Sequence, residues 1–200
     1  MDNAASFVPL VGDKDIPEAM QPALALVVER MGFLSNAHRT YLQRPEIAQA
    51  MATLNDAVMR HASSTLDIPL KRKVAAIVSK THGCVYCTSH FCAALKTSIE
   101  VISEADGMSD EEVRALLSGE FEAESPKEQV CFDFARAAAK APAEVPEEIY
   151  ARMQALLSPE QRVELAGVVA LWSYYNTLHD SLKVPLEEHM LDEQGFVKTL

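Results

Sequence analysis

Apolar residues recur at intervals of three and four along most of the chain, the spacing that places them on one face of an α-helix. No stretch shows the sustained alternation of apolar and polar residues that is typical of a half-buried strand. The helical pattern covers eight segments: 17–33, 44–62, 69–82, 84–100, 109–120, 125–141, 146–158 and 158–182. The sequence therefore predicts an all-α fold, a bundle of about eight helices joined by short loops.

The starts of six of these helices are marked by residues that favour a first turn. Proline has a φ angle that suits the first helical position, and a serine hydroxyl can accept one of the free backbone N–H groups there. These residues are Pro45, Pro69, Ser109, Ser125, Pro146 and Ser158. Because capping and periodicity are independent signals, their agreement strengthens the helical prediction.

Two of the helical segments resemble each other. Residues 69–79 and 159–170 both begin with a proline and a charged first turn, followed by an apolar run that contains small residues. Small residues in both helices would allow the two backbones to approach closely at a central crossing. The similarity is compatible with an internal duplication, and equally with a chance likeness between two apolar helices.

Composition and charge narrow the class of protein. A chain of 200 residues suits a single domain spanning 1–200, and 18 basic against 29 acidic residues give a net charge of −11. Such a charge repels phosphate backbones and anionic lipid, which argues against nucleic-acid or membrane partners. Since the chain shows no signal peptide and no transmembrane segment, we expect a cytoplasmic protein.

The most distinctive stretch is THGCVYCTSH, residues 81–90, which contains Cys84 and Cys87. Gly83 interrupts the helical pattern, and a new helix is predicted to begin at about Cys84. In a first helical turn, free N–H groups and the helix dipole favour a thiolate over a thiol. The three-residue spacing also brings both side chains to one face, close enough to form a disulfide.

The residues alone leave three interpretations of this pair open. In a reducing compartment a close cysteine pair indicates a redox centre or a metal site more often than a structural disulfide, and inert core thiols are the third option. A zinc site would combine the pair with one or two nearby histidines, although no second Cys-x-x-Cys supplies further ligands. The candidate histidines are His82, His90 and His179. We expect the two remaining cysteines, Cys92 and Cys131, to pack in the core.

Residues 77–95, IVSKTHGCVYCTSHFCAAL, resemble the core motif of the alkylhydroperoxidase D (AhpD) and carboxymuconolactone decarboxylase superfamily. Residues 32–59 are similar to the region that precedes this motif in the superfamily. Residues 157–188 resemble the closing helix of its peroxidase-related members, with Asn176 and Asp180 in the usual places.

The resemblance extends over about residues 25–190 and leaves 191–200 as a polar tail. It implies an all-α fold that usually assembles as a homotrimer or homohexamer. In members that contain the cysteine pair, the second cysteine is oxidised by peroxide and the first resolves it, which assigns these roles to Cys87 and Cys84. The implied activity is a thiol-dependent peroxidase or disulfide oxidoreductase without metal or cofactor. Its partners would be a hydroperoxide and a dithiol reductant, either a lipoyl protein or a thioredoxin-like one.

The sequence departs from the superfamily pattern in its proton relay. Members of the superfamily often have a glutamate twelve residues before the first cysteine. This chain has Arg72 at that position, and an arginine stays protonated and cannot act as a base. Members of the superfamily often have a histidine four residues after the second cysteine, where this chain has Phe91. Many of them also have Asn-Gly-Cys where this chain has His-Gly-Cys, at residues 82–84. The activity is therefore expected to be weak or dependent on a partner, unless other residues handle the protons.

Three residues are candidates for that replacement: His90, His82 and Tyr86. His90 follows Cys87 by three residues, about 60° around the helix, where an inward-turned imidazole could take the thiol proton near neutral pH. The alternative is a histidine that is exposed to solvent or satisfied within the core. A decarboxylase-like lyase is a further option, although the decarboxylases of the superfamily generally lack the cysteine pair.

Overall fold

The computed structural model describes residues 6–96 and 107–200, and these residues contain ten α-helices and no β-strand. The all-α prediction is therefore confirmed. The helices are α1 (Gln21–Met31), α2 (Asn36–Tyr41), α3 (Pro45–Met59), α4 (Ile68–His82), α5 (Val85–Lys96), α6 (Asp110–Ser118), α7 (Pro126–Ala138), α8 (Glu147–Leu156), α9 (Pro159–Ser181) and α10 (Leu191–Lys198). Part of the predicted fifth helix, residues 97–100, lies outside the described residues.

The predicted helix starts agree with the observed caps. Ser109, Ser125 and Ser158 are N-cap residues whose side chains accept a backbone N–H from the first turn of α6, α7 and α9. Pro45 opens α3, whereas Pro146 is the residue immediately before α8. These caps satisfy N–H groups that would otherwise lack an intrahelical acceptor.

Two of the ten helices, α2 and α10, were not among the eight segments predicted from periodicity. Helix α2 has only six residues, too few to show a periodic pattern, and it begins where the Ser35 side chain accepts the N–H of His38. Helix α10 forms in the segment expected to be a polar tail, and it packs against α5 of the same chain. The Lys96 ammonium joins the two helices, since it lies 2.8 Å from Glu193 Oε2 and 3.8 Å from the centre of the Phe196 ring.

Helix α4 lies at the centre of the core and packs against α5, α7 and α9. Its residues Val74, Ala75 and Ala76 have no solvent exposure. The expected meeting of small residues from α4 and α9 does not occur at Gly167, because a Cβ there would lie 3.7 Å from Val58 on α3. Bulkier α9 residues such as Leu165 and Val168 are buried instead, so the close packing does not depend on a matched pair of small residues.

A tight turn joins α4 to α5. Gly83 ends α4 with φ of 74°, in the left-handed region that a residue with a Cβ rarely adopts. Cys84 follows at once, and its carbonyl accepts the N–H of Thr88 at 3.0 Å to open α5. The turn thus places the cysteine pair at the start of a helix, directed into the core.

The segment before α3 forms a second, smaller apolar cluster. Met20, Leu24 and Leu42 are buried together there, apart from the main core. Helix α1 contributes Leu24 to this cluster and runs along the opening of a cavity that leads to the cysteine pair. Within residues 6–96 and 107–200, no helix has the length and apolar character needed to cross a membrane.

Candidate functional site

Both cysteines of the pair are buried free thiols at the first turn of α5. Cys84 is the residue that precedes the helix, and its Sγ lies 3.4 Å from the backbone N–H of Cys87, which donates to it. Cys87 occupies the third helical position. The predicted placement of the pair at a helix start is therefore confirmed.

The imidazole that contacts the pair comes from α9. His179 Nδ1 lies 2.9 Å from Cys87 Sγ, although the two residues are 92 positions apart in the chain. The other ring nitrogen, Nε2, makes a short hydrogen bond with the hydroxyl of Tyr41 at the end of α2. All three side chains are buried, so they form a continuous chain from thiol to imidazole to phenol.

His179 is a neutral imidazole in this environment. Desolvation is the main cause that lowers its pKa to about 3; nearby His38 lowers it further and Glu187 acts in the opposite direction. A neutral imidazole has one donor and one acceptor nitrogen. In the tautomer that has its proton on Nε2, His179 donates to the Tyr41 oxygen and can accept the thiol proton at Nδ1.

Cys87 is a neutral thiol for the same reason. Burial raises its pKa well above the usual value, and the hydrogen bond and charge of Cys84 and the charge of Asp180 add to the increase. The expectation that a helix start favours the thiolate is therefore wrong for Cys87 at rest. Desolvation of a sulfur with 2% exposure outweighs the stabilisation that free N–H groups can supply.

A carboxylate from the segment after α9 forms a second polar group in the site. Glu187 Oε1 accepts the N–H of Asn36 at 2.6 Å and the hydroxyl of Tyr86 at 3.0 Å, and Oε2 lies 2.9 Å from His90 Nε2. Asn36 Nδ2 also donates to the carbonyl of Pro185 at 3.0 Å, which fixes the segment in place. Burial alone would raise the pKa of Glu187, but His90 and the Asn36 N–H hold it at about 2.

Tyr86 lies between the two imidazoles. Its ring centre is 4.5 Å from that of His90 and 4.9 Å from that of His179. Burial and the charge of Glu187 raise the pKa of Tyr86, so its hydroxyl stays protonated and donates to the carboxylate. The Tyr86 oxygen in turn accepts the N–H of Ala37 at 3.2 Å.

His38 completes the polar end of the site. Its Nδ1 lies 2.7 Å from the hydroxyl of Ser35. Desolvation and the neighbouring His90 lower the pKa of His38 to about 4, against the opposing effect of Glu187. His38 and His179 are therefore two neutral imidazoles that line the same cavity.

Most of these groups line a cavity of about 470 Å³: Ser35, His38, Tyr41, Tyr86, Cys87, His90 and His179. Cys87 lines the cavity, whereas Cys84 does not and lies behind it. The remainder of the wall is mainly apolar and comes from α1, α3 and α9, through residues such as Leu24, Val27, Met31, Met51, Met59 and Trp172. A bound molecule would therefore meet Cys87 first, in a mostly apolar environment.

The structure brings together four of the five candidate residues: Cys84, Cys87, Tyr86 and His90. His82 is separate, since its Nε2 lies 2.9 Å from the Ser173 hydroxyl and it does not line the cavity. Arg72 and Phe91, which occupy the altered relay positions, both line the cavity. His90 has Glu187 as its partner, and the position expected for it beside Cys87 is taken by His179.

The cysteine pair and His179 also satisfy the geometry of a partial metal site. One ligand atom from each of Cys84, Cys87 and His179 lies within 4.8 Å of the others, and all three residues are buried. Two thiolates and an imidazole are a donor set that zinc accepts when a fourth ligand completes the tetrahedron. In the part of the chain that the structure describes, neither His82 nor His90 belongs to this group.

No protein-family model matches the chain, and none of the curated proteins compared with it is significantly similar in sequence. Solved structures do share its fold. A cysteine-to-alanine variant of the debrominase Bmp8, in complex with 2,3,4-tribromopyrrole, aligns with a TM-score of 0.80 at 21% identity, covering 98% of this chain and 100% of that one.

Two peroxidase-related proteins align in the same way. The first, from Ralstonia eutropha JMP134, is described as an alkylhydroperoxidase AhpD core and gives a TM-score of 0.76 at 19% identity over 92% of this chain and 94% of that one. The second, from Silicibacter sp. TM1040, gives 0.77 at 17% identity over 94% of each chain. The chain therefore has the AhpD-like helical fold, as the sequence resemblance implied.

Proposed function

We propose that this protein is a dithiol oxidoreductase that reduces an apolar hydroperoxide through Cys87 and Cys84. The observation that carries the proposal is the contact of 2.9 Å between Cys87 Sγ and His179 Nδ1 at the inner end of the cavity. A neutral imidazole beside a neutral thiol is a competent general base, because it can accept the proton as the sulfur attacks.

The first step oxidises Cys87. Its sulfur attacks the terminal peroxide oxygen, the S–O bond forms, the O–O bond breaks, and the thiol proton passes to His179 Nδ1. The alkoxide that leaves takes up a proton and departs as an alcohol, and Cys87 becomes a sulfenic acid. Tyr41 holds the imidazole in the required tautomer by accepting the proton on Nε2.

The second step involves Cys84, which lies behind Cys87 at the same helix start. Its thiol attacks the sulfenic sulfur, a disulfide forms, and the oxygen departs as water. Together the two steps transfer two electrons from the cysteine pair to the peroxide. A dithiol partner, lipoyl or thioredoxin-like, would then reduce the disulfide by thiol–disulfide exchange.

The cavity indicates which peroxides would react. A space of about 470 Å³ with a mainly apolar wall is much larger than hydrogen peroxide requires. Burial of an apolar group stabilises binding by roughly 25 cal/mol per Å² removed from water. We therefore expect cumene hydroperoxide to oxidise Cys87 faster than hydrogen peroxide does.

The test is stopped-flow oxidation of the reduced protein by cumene hydroperoxide, followed by peptide mapping. A disulfide between Cys84 and Cys87 should form, with Cys92 and Cys131 left reduced, because neither of these two thiols lines the cavity. Cys87→Ser should abolish the reaction, and Cys84→Ser should stop it at the sulfenic acid. A disulfide that links Cys87 mainly to Cys92, or no disulfide, contradicts the proposal.

Reductive dehalogenation is a second candidate for the same pair, favoured by the structural likeness to the debrominase. The Cys87 sulfur would attack a ring halogen, forming an S–halogen bond while the ring carbon takes a proton. Cys84 would then displace halide and form the disulfide. Bromide release from 2,3,4-tribromopyrrole with concomitant loss of two thiols supports this activity, whereas thiol oxidation by hydroperoxide alone excludes it.

A structural zinc site is the competing interpretation of the same residues. Zinc bound by Cys84, Cys87 and His179 would hold both sulfurs as thiolates and block their oxidation. Metal analysis of the purified protein, together with a count of reactive thiols, separates the two. One tightly held zinc per chain, with thiols that react with peroxide only after chelation, contradicts the redox proposal.

The proposal includes assembly as a homotrimer or homohexamer. Helices α1 and α3 expose large apolar side chains: Leu26, Val28, Ile47 and Leu54. Apolar groups clustered on two neighbouring helices are typical of a surface covered by another subunit. Sedimentation at micromolar concentration should give an oligomer, and a monomer would contradict this part of the proposal.

A further inference from the structure

We propose that Glu187 is a positioning residue that holds His90 as the proton donor to the leaving group, while His179 takes the proton from Cys87. The inference rests on the proposed function and deepens it. It assigns the two halves of one proton-coupled step to two histidines that lie on either side of Tyr86.

The hydrogen bonds of Glu187 determine which atoms carry protons. An ionised carboxylate only accepts hydrogen bonds, so His90 Nε2 and the Tyr86 hydroxyl must both donate to it. With the N–H of Asn36, three donors surround this carboxylate, which is 7% exposed. The side chain is thus held in one orientation and fixes the ring of His90.

The tautomer of His90 follows from this arrangement. Nε2 is committed to Glu187, so Nδ1 is the ring nitrogen that can hold and release a second proton. Nδ1 has no hydrogen-bond partner among the residues that the structure describes, and the ring lines the cavity. A carboxylate beside the opposite nitrogen stabilises the positive charge that such a proton brings.

His179 and His90 have different hydrogen-bond partners, and these partners suit one to act as a base and the other as an acid. His179 contacts a thiol and a phenol, both neutral, and accepts a proton at Nδ1. His90 contacts an anion and is the only one of the two that is paired with a carboxylate in the described structure. When the O–O bond breaks, the thiol proton goes to His179 and the alkoxide takes the second proton of His90 from Nδ1. Before the next turnover, His179 releases its proton to water and His90 takes one up.

The test uses the basicity of the leaving group. An alkyl hydroperoxide such as tert-butyl hydroperoxide releases a strongly basic alkoxide, which needs a proton as it leaves. A peracid such as peroxybenzoic acid releases a weakly basic carboxylate, which does not. Loss of a general acid typically costs about 10²-fold, so Glu187→Gln should slow oxidation of Cys87 by tert-butyl hydroperoxide by that factor and by peroxybenzoic acid only slightly.

A second variant distinguishes the loss of the proton donor from a folding defect in Glu187→Gln. His90→Gln retains an N–H donor for Glu187 but cannot release a proton, so it should show the same selective loss. Glu193→Gln is the matched control, because this carboxylate pairs with Lys96 outside the cavity. It should leave both rates unchanged.

The outcomes separate this inference from the proposed function. If the wild-type protein reacts with both reagents but the variants lose the two rates equally, or lose neither, the assignment of His90 and Glu187 is overturned and the dithiol activity stands. If the wild-type protein reacts with neither reagent, the proposed function fails and the inference fails with it. A loss confined to the alkyl hydroperoxide in both variants supports the inference.

Discussion

Helix α9 contributes one residue to each of two buried pairs, and the two pairs differ in charge. Near its start, Glu164 forms an ion pair with Lys71 of α4, whose side chain has no solvent exposure. Near its end, His179 forms a neutral pair with Cys87 of α5. Helix α9 thus contacts a buried ammonium through a partly buried carboxylate at one end and a neutral thiol through a neutral imidazole at the other.

The number of fixed hydrogen-bond partners accounts for the difference. The Lys71 ammonium also donates to the Val58 carbonyl at 2.8 Å and the Ser64 hydroxyl at 2.7 Å, and Glu164 accepts two bonds from Thr65. Burial would raise the pKa of Glu164, but Lys71 and these donors hold it at about 2.

The thiol–imidazole pair has far fewer partners. Cys87 and His179 share one hydrogen bond, and desolvation acts on both in the direction of the neutral form, raising the pKa of the thiol and lowering that of the imidazole. The comparison indicates that a buried charge persists in this core only where several donors or acceptors meet it. In the proposed reaction, Cys87 and His179 become charged only when the thiol proton is transferred.

The largest effect is expected from breaking the charged pair. Lys71→Met leaves the partly buried Glu164 without its cation and the Val58 carbonyl without a donor, so it should reduce the free energy of unfolding by about 3 kcal/mol. Replacing both partners, Lys71→Met with Glu164→Leu, should restore most of that stability, because no charge is then left unpaired. Urea denaturation measures the free energy of unfolding of the single and the double variant. An exposed ion pair contributes at most about 1 kcal/mol, so a loss of less than that in Lys71→Met would contradict the structural role of this ion pair.

Next in size is the loss of the base in the neutral pair. His179→Gln can still hydrogen bond but cannot accept the thiol proton, so oxidation of Cys87 by cumene hydroperoxide should slow by about 10²-fold. The same substitution at His61, an exposed residue whose imidazole hydrogen bonds with Ser63, is the control. An unchanged rate in His179→Gln would remove His179 from the mechanism.

The neutral pair should also make the fold sensitive to acid. The pKa of His179 is lowered to about 3 in the folded state, so between pH 6.5 and 3 the unfolded chain binds a proton that the folded chain does not. Stability is therefore present above pH 6.5 and is lost as the pH falls. From pH 7 to pH 5, wild type should lose about 2 kcal/mol more than His179→Gln; equal losses would contradict the buried neutral imidazole.

The smallest effect is expected on the pKa of Cys87 when Cys84 is replaced. Cys84 contributes a hydrogen bond and a charge effect that raise the pKa of Cys87, after the larger effect of burial. Cys84→Ser should therefore lower the pKa of Cys87 modestly while leaving it above that of an exposed thiol. The pH dependence of alkylation by iodoacetamide measures this, and a pKa that rises in the variant would contradict the assignment.

The sequence was sufficient for the fold class and for one half of the site. Periodicity and caps such as Ser109 and Ser158 predicted the long helices, because these signals are local. The cysteine pair was placed correctly at a helix start because Gly83 and the two cysteines are adjacent in sequence. Helices α2 and α10 were missed, since six residues carry no periodic signal and α10 contains Gly195 and many polar positions.

The other half of the site depends on contacts between distant segments. His90 was favoured as the partner of Cys87 because a spacing of three residues is visible in sequence, yet its side chain turns to Glu187. His179 was considered as a candidate zinc ligand, and nothing in its local pattern shows that it faces Cys87. Glu187 lies in a non-helical segment that no period describes, so packing alone reveals it.

The order in which the site is assembled has a consequence for the newly made chain. During synthesis, Cys84 and Cys87 emerge long before His179, which follows Cys87 by 92 positions, and before Glu187, which follows His90 by 97. A nascent chain that ends at α5 therefore carries the two thiols without the base or the buried carboxylate. The proton transfer proposed for Cys87 therefore requires that the segment carrying His179 and Glu187 has first docked onto α2 and α5.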